Sequence, residues 1–306
     1  MHDPQMMTQM TGKPGFLAAL DQSGGSTPGA LRAYGIPESA YNGDAEMFEL
    51  VHQMRVRIIT APAFTGDKVI GAILFEKTMD GEAAGQPVPT YLWKERGIVP
   101  FLKVDKGLEA EQDGVQLMKP IAGLDALLER AAKLGIFGTK MRSVVNLASP
   151  SGIAAIVEQQ FAFGEQISAH GLVPILEPEA LIKSPEREAA EDILLAELKN
   201  GLDALSGDRK VMLKLSIPTK PDLYKPLAEH PRVVRLVALS GGFPLEEACH
   251  RLAQNHGMIA SFSRALVEDL RHEMSDSEFD ATLAAAIDQI YRASTVKEEA
   301  GVQPIA

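Results

Sequence analysis

The chain has 306 residues, with 30 lysines and arginines against 41 aspartates and glutamates, and a formal net charge of −11. Its hydrophobic fraction of 45% and charged fraction of 23% exclude an intrinsically disordered protein. The acidic balance argues against a nucleic-acid partner or an anionic membrane partner, since both need a basic surface. A local cationic pocket for a small anion stays compatible with these numbers.

The cysteine content and the lengths of the apolar runs indicate in which cellular compartment the protein works. Cys249 is the single cysteine, which excludes an internal disulfide and a cysteine-based zinc site. No apolar run reaches the roughly 18 residues of a membrane span, and residues 1–12 lack the apolar core of a signal peptide. We therefore expect a cytoplasmic protein, with residues 1–12 as a flexible leader and residues 297–306 as a flexible tail.

Short apolar runs of strand length recur along the chain, at residues 15–21, 70–76, 99–105, 136–142, 172–178, 211–217, 233–240 and 258–264. Helical periodicity fills most of the intervals, for example at 124–134, 153–169, 189–205, 245–254 and, after the last strand, 277–296. Strands that alternate with helices form βαβ units with a parallel sheet.

The number of strands decides the architecture. Length alone suggests about two domains, but eight strands with no Gly/Ser-rich linker fit one domain better. We predict an α/β fold, a closed (β/α)8 TIM barrel over residues 1–306. Residues 57–64 could form a ninth strand, and we interpret them instead as the end of a helix that starts at Ala45 and breaks at Ala61–Pro62.

Polar residues end or follow every predicted strand, where a barrel carries its active site. They are Asp21, Ser23, Ser26, Glu76, Lys103, Asp105, Lys140, Arg142, Glu177, Glu179, Lys214, Ser240, Gly241, Ser261, Ser263 and Arg264. A single charge at a strand end is usually a solvated loop residue. Its recurrence at eight strands predicts a shared site.

Lys214 lies inside an apolar run, with Leu213 and Leu215 on either side. Burial and a nearby cation such as Lys140 favour a neutral amine, which can attack a carbonyl carbon and form a Schiff base. The alternative is an edge residue or a buried structural ion pair.

Glu177 and Glu179 are spaced by two and share one face of a strand. Two close carboxylates separate their proton affinities, which leaves one able to hold a proton near neutrality and to donate it when a carbinolamine loses water. Alternatively, one of them only neutralises Lys140 or Lys214, and both interpretations can hold together.

Two glycine-rich turns are candidate phosphate sites. Ser240-Gly241-Gly242 precedes a predicted helix start, and Arg264 follows the next strand, as in barrel phosphate sites. The segment from Asp21 to Ser26 could bind a second phosphate and leave Asp21 free as a base. Either segment could also be a tight turn alone. The seven histidines show neither the HxH nor the HExxH spacing of a metal site, so we predict no metal.

From Leu17 to about Tyr291 the sequence resembles the class I, Schiff-base-forming fructose-1,6-bisphosphate aldolases, in particular their shorter bacterial branch. The resemblance is carried by eight segments in the family's order: LAALDQSGGSTPGAL, GAILFE, VPFLKVDKG, FGTKMRSV, GLVPILEPE, VMLKLSIP, LSGG and ASFSRAL. It implies a TIM barrel, no metal or organic cofactor, and a phosphorylated sugar as the partner molecule. Family members are often homotetramers, so a homo-oligomer is possible.

The resemblance also implies catalytic roles. Lys214 matches the Schiff-base lysine, Glu177 the glutamate that protonates the departing hydroxyl, and Glu179 its neighbour. Asp21 matches the aspartate that handles the proton of the C4 hydroxyl during cleavage. Lys140 matches the lysine that supports carbinolamine chemistry.

Substrate-binding positions follow in the same way. Arg142 matches a phosphate or charge-network residue, and Lys103 and Asp105 match the pair that lines the site. The residues that match the ligands of the C1 phosphate are Ser240, Gly241 and Arg264. Ser261, which precedes that arginine at the end of the same strand, is a further predicted substrate-binding residue. The C6 phosphate falls to Ser23 and Ser26. Ser263 departs from the glycine of the animal enzymes, and their C-terminal tyrosine has no clear counterpart, Tyr291 being the nearest.

The implied activity is reversible cleavage of fructose 1,6-bisphosphate into dihydroxyacetone phosphate and glyceraldehyde 3-phosphate. Three alternatives remain at the level of sequence: a transaldolase or another sugar-phosphate lyase, a barrel that binds or scaffolds without turnover, and a metal-dependent aldolase. The last is disfavoured by the missing histidine cluster.

Overall fold

The structure, a computed structural model, describes residues 3–22 and 27–298. Eight parallel strands form its barrel: β1 Phe16–Leu20, β2 Val69–Leu74, β3 Val99–Lys103, β4 Gly138–Val145, β5 Val173–Ala180, β6 Val211–Ser216, β7 Val233–Leu239 and β8 Met258–Phe262. Each strand pairs with the next along the chain. Pairing of Leu17 on β1 with Ser261 on β8 closes the sheet, so the predicted (β/α)8 barrel is confirmed.

Helices surround the barrel. They are α1 Pro4–Gly12, α2 Thr27–Ala33, α3 Gly43–Thr60, α4 Glu76–Met79, α5 Val88–Arg96, α6 Leu124–Lys133, α7 Pro150–Ala169, α8 Arg187–Ala204, α9 Lys225–Ala228, α10 Leu245–Ala253, α11 Arg264–Val267 and α12 Asp276–Thr295. Outside the barrel strands lie a hairpin of Glu82–Ala83 with Gln86–Pro87 and a short strand, Val115–Gln116, antiparallel to β4.

The interpretation of residues 57–64 as the end of a helix is confirmed, since α3 continues to Thr60. The chain leaves the helix at Ala61, where ψ is 138°. Pro62 imposes this change, because proline disfavours the helical conformation of the residue before it.

Pleating of the strands divides the barrel interior into an apolar floor and a polar mouth. Along β5, Val173 and Ile175 belong to the inner apolar cluster, and Glu177 and Glu179 follow on the same face. On β6, Met212 belongs to this cluster and is followed by Lys214. The apolar residues fill the amino-terminal half of the barrel, so the charged residues gather at the carboxyl ends of the strands.

The expectation of a flexible leader was wrong for residues 4–12, which form α1. Asp3 caps this helix, and Met6 and Met10, four residues apart on one face, are buried in the inner apolar cluster of the barrel. Arg235 on β7 donates a 2.7 Å hydrogen bond to the carbonyl of Met10. The helix therefore covers the apolar floor, and Met6 and Met10 are core residues of the barrel.

At the other end, the expected flexible tail lies outside the described residues from 299 onward. The amine of Lys297 donates to the carbonyls of Leu252, Met258 and Ala293, so residue 297 itself is anchored. No helix among residues 3–22 and 27–298 is long and apolar enough to cross a membrane.

Candidate active site

A cavity of about 760 Å³ opens at the carboxyl ends of the barrel strands. It is lined by all the site residues that the sequence predicts except Ser23 and Ser26, which lie outside the described residues. The lining residues are Asp21, Gln22, Phe48, Phe75, Glu76, Lys103, Asp105, Lys106, Gly107, Leu108, Lys140, Arg142, Glu177, Glu179, Lys214, Leu239, Ser240, Gly241, Ser261, Ser263 and Arg264.

Four buried charges form a continuous chain at the base of this cavity. The Nζ atom of Lys214 lies 3.2 Å from Oε1 of Glu177. The other carboxylate oxygen of Glu177 lies 2.9 Å from Nζ of Lys140, which in turn lies 2.5 Å from Oδ2 of Asp21. One carboxylate thus separates the two lysines, and the second carboxylate ends the chain.

The alternation of charges decides the ionisation of the two acids. Burial by itself raises the pKa of Asp21, but the charges of Lys140, Lys214 and Lys103 outweigh burial and lower this pKa to about 2. In Glu177 burial is likewise outweighed, by Lys140 and Lys214, and its pKa lies below the usual value. Burial opposes the charge on Lys140, but Asp21 and Glu177 raise its pKa. Asp21 and Glu177 are therefore anionic in the free protein.

This ionisation corrects one expectation. The two glutamates of β5 were expected to separate their proton affinities, so that one would hold a proton near neutrality. Instead each has a cation of its own: Glu177 contacts Lys140 and Lys214, and Glu179 lies 2.5 Å from Nε of Arg142. Because Lys140 and Lys214 lower the pKa of Glu177, this carboxyl group has to acquire a proton during a reaction before it can donate one.

The remaining cations at the mouth differ in how they are engaged. Lys103 lies 2.8 Å from Oδ1 of Asp105 and also donates to the carbonyl of that residue. For the exposed Arg264, in contrast, no ion pair or hydrogen bond forms within residues 3–22 and 27–298. Arg264 is therefore available for an external anion.

Backbone N–H groups and a hydroxyl lie near Arg264 at the mouth of the cavity. Gly241 and Gly242 have φ angles of 62° and 109°, and Nη2 of Arg264 approaches to 3.4 Å of the position that a Cβ on Gly242 would occupy. A turn with two residues in this region directs successive N–H groups to one side, which suits an anion. The buried hydroxyl of Ser261 has no hydrogen-bond partner among the described residues. These groups lie where β7 and β8 end, the usual phosphate position of barrels.

Comparison with known proteins now decides the family. The sequence model of class-I fructose-bisphosphate aldolase matches residues 19–215, which include Asp21, Lys140, Glu177 and Lys214. Class 1 fructose-bisphosphate aldolase of Porphyromonas gingivalis is 56% identical over 290 residues, 95% of this chain and 98% of the relative. The chain belongs to the class-I fructose-bisphosphate aldolase family.

Solved structures agree in fold. The fructose-bisphosphate aldolase of Plasmodium falciparum, solved in complex with TRAP and a small-molecule inhibitor, has a TM-score of 0.75 and 21% identity over 96% of this chain and 95% of its own. A Corynebacterium glutamicum protein solved by structural genomics has a TM-score of 0.55 and 14% identity over 95% of this chain and 92% of its own. At these identities the likeness shows the barrel alone.

Ser263, where this aldolase departs from the glycine of the animal enzymes, has a partner within the protein. Its Oγ accepts a 2.5 Å hydrogen bond from Nε2 of Gln22. The hydroxyl therefore links the end of β8 to the residue after Asp21. Tyr291, the nearest C-terminal tyrosine, packs against the hydrophobic core from α12 and is not one of the described residues that line the cavity.

Sequence reasoning missed several cavity residues of this aldolase, among them Phe75 and Lys106. Lys106 pairs at 2.8 Å with Glu76, a residue that the strand ends did indicate. Phe75 directly follows β2, so its place at a strand end also indicates the cavity. It belongs to the apolar run 70–76, however, and this run predicts a strand residue instead. Arg55 on α3, beneath the cavity, carried no signal of its own, because an arginine on a surface helix is ordinarily solvated.

Within residues 3–22 and 27–298, no group of three or more histidine, cysteine, aspartate or glutamate side chains could hold a metal ion.

Cys249 is buried on α10, where burial and the charge of Glu268 raise its pKa to about 12. This thiol is therefore a packing group and not a nucleophile.

Proposed function

We propose that the protein catalyses the reversible cleavage of fructose 1,6-bisphosphate into dihydroxyacetone phosphate and glyceraldehyde 3-phosphate through a Schiff base on Lys214. The observation that carries the proposal is the buried chain Lys214–Glu177–Lys140–Asp21 at the base of a cavity. A buried lysine beside a carboxylate has both the nucleophile and the proton acceptor that imine formation needs. The membership of the chain in the aldolase family supports the same assignment.

Imine formation uses Lys214 and Glu177. Glu177, anionic and 3.2 Å from Nζ, accepts a proton from the nitrogen of Lys214, and this nitrogen attacks C2 of the open-chain sugar. A second proton then passes from the attacking nitrogen to the C2 oxygen, so the carbinolamine that results carries a hydroxyl on C2. Glu177 returns its proton to this hydroxyl, which leaves as water and gives the iminium. One carboxyl group thus performs both transfers, and the charge of Lys140 stabilises it each time it is anionic.

Cleavage uses Asp21. Its carboxylate accepts the proton of the C4 hydroxyl, the C4 oxygen becomes the aldehyde oxygen, and the C3–C4 electron pair moves toward C2 to give an enamine on Lys214. The low pKa of Asp21 keeps it anionic and ready to accept at neutral pH. After glyceraldehyde 3-phosphate departs, protonation at C3 and hydrolysis of the imine release dihydroxyacetone phosphate. The protonated imine is the electron acceptor, so the reaction calls for no metal ion or organic cofactor.

Substrate binding rests on local charge in an acidic protein. Arg264, the backbone of Gly241 and the hydroxyls of Ser240 and Ser261 hold the C1 phosphate. Lys103 ends β3, which is four strands away from β7 in the barrel, and is assigned to the C6 end. Ser23 and Ser26 stay predicted C6-phosphate ligands. The net charge of −11 describes the whole chain, whereas the cavity gathers six basic residues: Lys103, Lys106, Lys140, Arg142, Lys214 and Arg264.

Location and assembly are further proposals. A cytoplasmic location fits the substrate, which is an intermediate of sugar metabolism, and a homo-oligomer stays a prediction from the family resemblance.

A cleavage assay tests the proposed function. Purified protein supplied with fructose 1,6-bisphosphate should release dihydroxyacetone phosphate, with unchanged rates in excess EDTA. Lys214→Met should reduce the rate by at least about 1,000-fold, since loss of a covalent nucleophile costs up to about six orders of magnitude. Glu179→Gln is the control for a change of charge in the same cavity. Activity that EDTA abolishes, or that survives in Lys214→Met, would contradict the proposal.

A further inference from the structure

Arg55 on α3 is 1% exposed although it carries a charge, the most completely buried arginine of the described residues. No ion pair with a carboxylate forms at this side chain within residues 3–22 and 27–298. A buried charge without a contacting partner is costly to the fold. Its presence beneath the cavity therefore requires an explanation beyond packing.

The guanidinium of Arg55 connects the ends of two neighbouring barrel strands. Nη2 donates to the carbonyl of Gln22, the residue directly after Asp21. Nη1 donates a 3.0 Å bond to Oγ1 of Thr78, which lies just beyond β2. The same group lies 5.7 Å from the ring centre of Phe75, a cavity residue. A guanidinium presents its donors in a rigid planar fork that holds two acceptors at a fixed separation, whereas an ammonium group presents its donors on a flexible stem.

Gln22 is held from the opposite side as well. Its side chain donates a 2.5 Å hydrogen bond to Oγ of Ser263, at the end of β8. The backbone of Gln22 is thereby fixed between α3 on one side and β8 on the other. Since Asp21 is covalently attached to this residue, its carboxylate has little freedom to move.

The charges of Arg55 and Asp21 also interact with each other. Burial lowers the pKa of Arg55 to about 10, and the charge of Asp21 opposes that effect. The guanidinium therefore lies within electrostatic reach of the carboxylate, although Lys140 and not Arg55 contacts it.

We propose that Arg55 is a positioning residue for carbon–carbon bond cleavage, which fixes the backbone at Gln22 so that the carboxylate of Asp21 faces the C4 hydroxyl of the sugar. This inference rests on the proposed aldolase function. It predicts a defect confined to the step that uses Asp21. Imine formation, which uses Lys214 and Glu177, does not depend on Arg55.

Two partial reactions separate these steps. The first is borohydride trapping of dihydroxyacetone phosphate on the protein, which needs only imine formation. The second is cleavage of fructose 1,6-bisphosphate, which also needs Asp21. In Arg55→Met and Arg55→Lys, we expect kcat for cleavage to fall by about 10- to 100-fold, as small misplacements of catalytic groups do. The trapping rate and the half-saturating concentration of dihydroxyacetone phosphate should change less than twofold.

Arg57→Met is the matched control. Arg57 lies on the same helix and also donates to backbone carbonyls, those of His272 and Met274, outside the cavity. We expect this variant to lose thermal stability and to keep the kcat of the unaltered protein.

Three results separate the outcomes. Cleavage that survives in Arg55→Lys, or trapping that falls in parallel with cleavage, overturns the positioning role. If Arg55→Met does not fold, Arg55→Lys decides alone, because it keeps the charge and loses the fork. If the unaltered protein neither traps nor cleaves, the proposed function fails first and independently of Arg55.

Discussion

Glu177 and Lys214, on neighbouring strands of the barrel, bring a carboxylate oxygen to 3.2 Å from the lysine Nζ in a buried setting. The same carboxylate lies 2.9 Å from Lys140. In the proposed mechanism, Glu177 can serve as a proton donor despite its lowered pKa because it acquires the proton from Lys214. The nucleophile and the acid act as one unit.

Replacing the shared carboxylate tests this unit. Glu177→Gln keeps the shape of the side chain and removes its capacity to carry a proton, so we expect kcat for cleavage to fall by about 100- to 10,000-fold. The rate of borohydride trapping should fall as well, because both transfers during imine formation use this group. Glu179→Gln is the control on the same strand. Equal losses in the two variants would show a general effect of charge instead.

The pKa of Asp21 predicts a component of acid stability. A carboxyl group whose folded pKa, about 2, lies below its ordinary value of 3.8 stabilises the fold above the unfolded pKa, and this contribution disappears as the pH falls through the folded pKa. We expect about 2 kcal/mol of the free energy of unfolding to be lost between about pH 5 and pH 1 on this account. Urea titrations across this range should show a shallower pH dependence in Asp21→Asn. Identical pH dependence in the two proteins would contradict the assigned ionisation.

The turn after β7 makes a prediction about phosphate binding. Gly241 has a φ of 62°, and a Cβ there would lie 2.5 Å from Cγ2 of Ile182. Gly241→Ala should therefore strain the turn, displace its N–H groups and raise KM for fructose 1,6-bisphosphate by about 10-fold, with a stability loss of about 1–2 kcal/mol. Gly207 has nearly the same φ, 61°, and open space around it. Gly207→Ala should lose stability alone, and a similar rise of KM in both variants would refute the phosphate assignment.

Arg264 makes a separate prediction, because its charge is not engaged by another described side chain. Arg264→Met should raise KM for the bisphosphate by about 10- to 100-fold, the loss expected for a hydrogen bond to a charged group. Arg271→Met is the control, since Arg271 also follows β8 but donates to the carbonyls of Glu268 and Leu270. An unchanged KM in Arg264→Met would exclude this arginine from the phosphate site.

The barrel and most of the cavity could be predicted because a strand reveals its own inward face. Met212 and Lys214 are two residues apart, and this period alone places the lysine above an apolar floor. What could not be predicted depends on contacts between distant segments. The ionisation of Glu177 depends on Lys140 from another strand, and the burial of Met6 depends on the open end of the barrel.

Arg55 shows the same limit more clearly. In the sequence it is one of two arginines on a helix, and nothing local separates it from Arg57. The difference arises only when α3 packs beneath the cavity and Arg55 meets the carbonyl of Gln22. Hydrogen bonds between a helix side chain and a remote carbonyl leave no periodic signal.

The central claim is that Lys214 forms a covalent imine with the substrate. Borohydride reduction in the presence of dihydroxyacetone phosphate, followed by peptide mapping, measures this directly. We predict one added three-carbon phosphate group per chain, on Lys214, and none without the substrate. Substrate-dependent labelling of another lysine would contradict the account. So would the absence of any labelled or inactivated enzyme after borohydride is added during turnover.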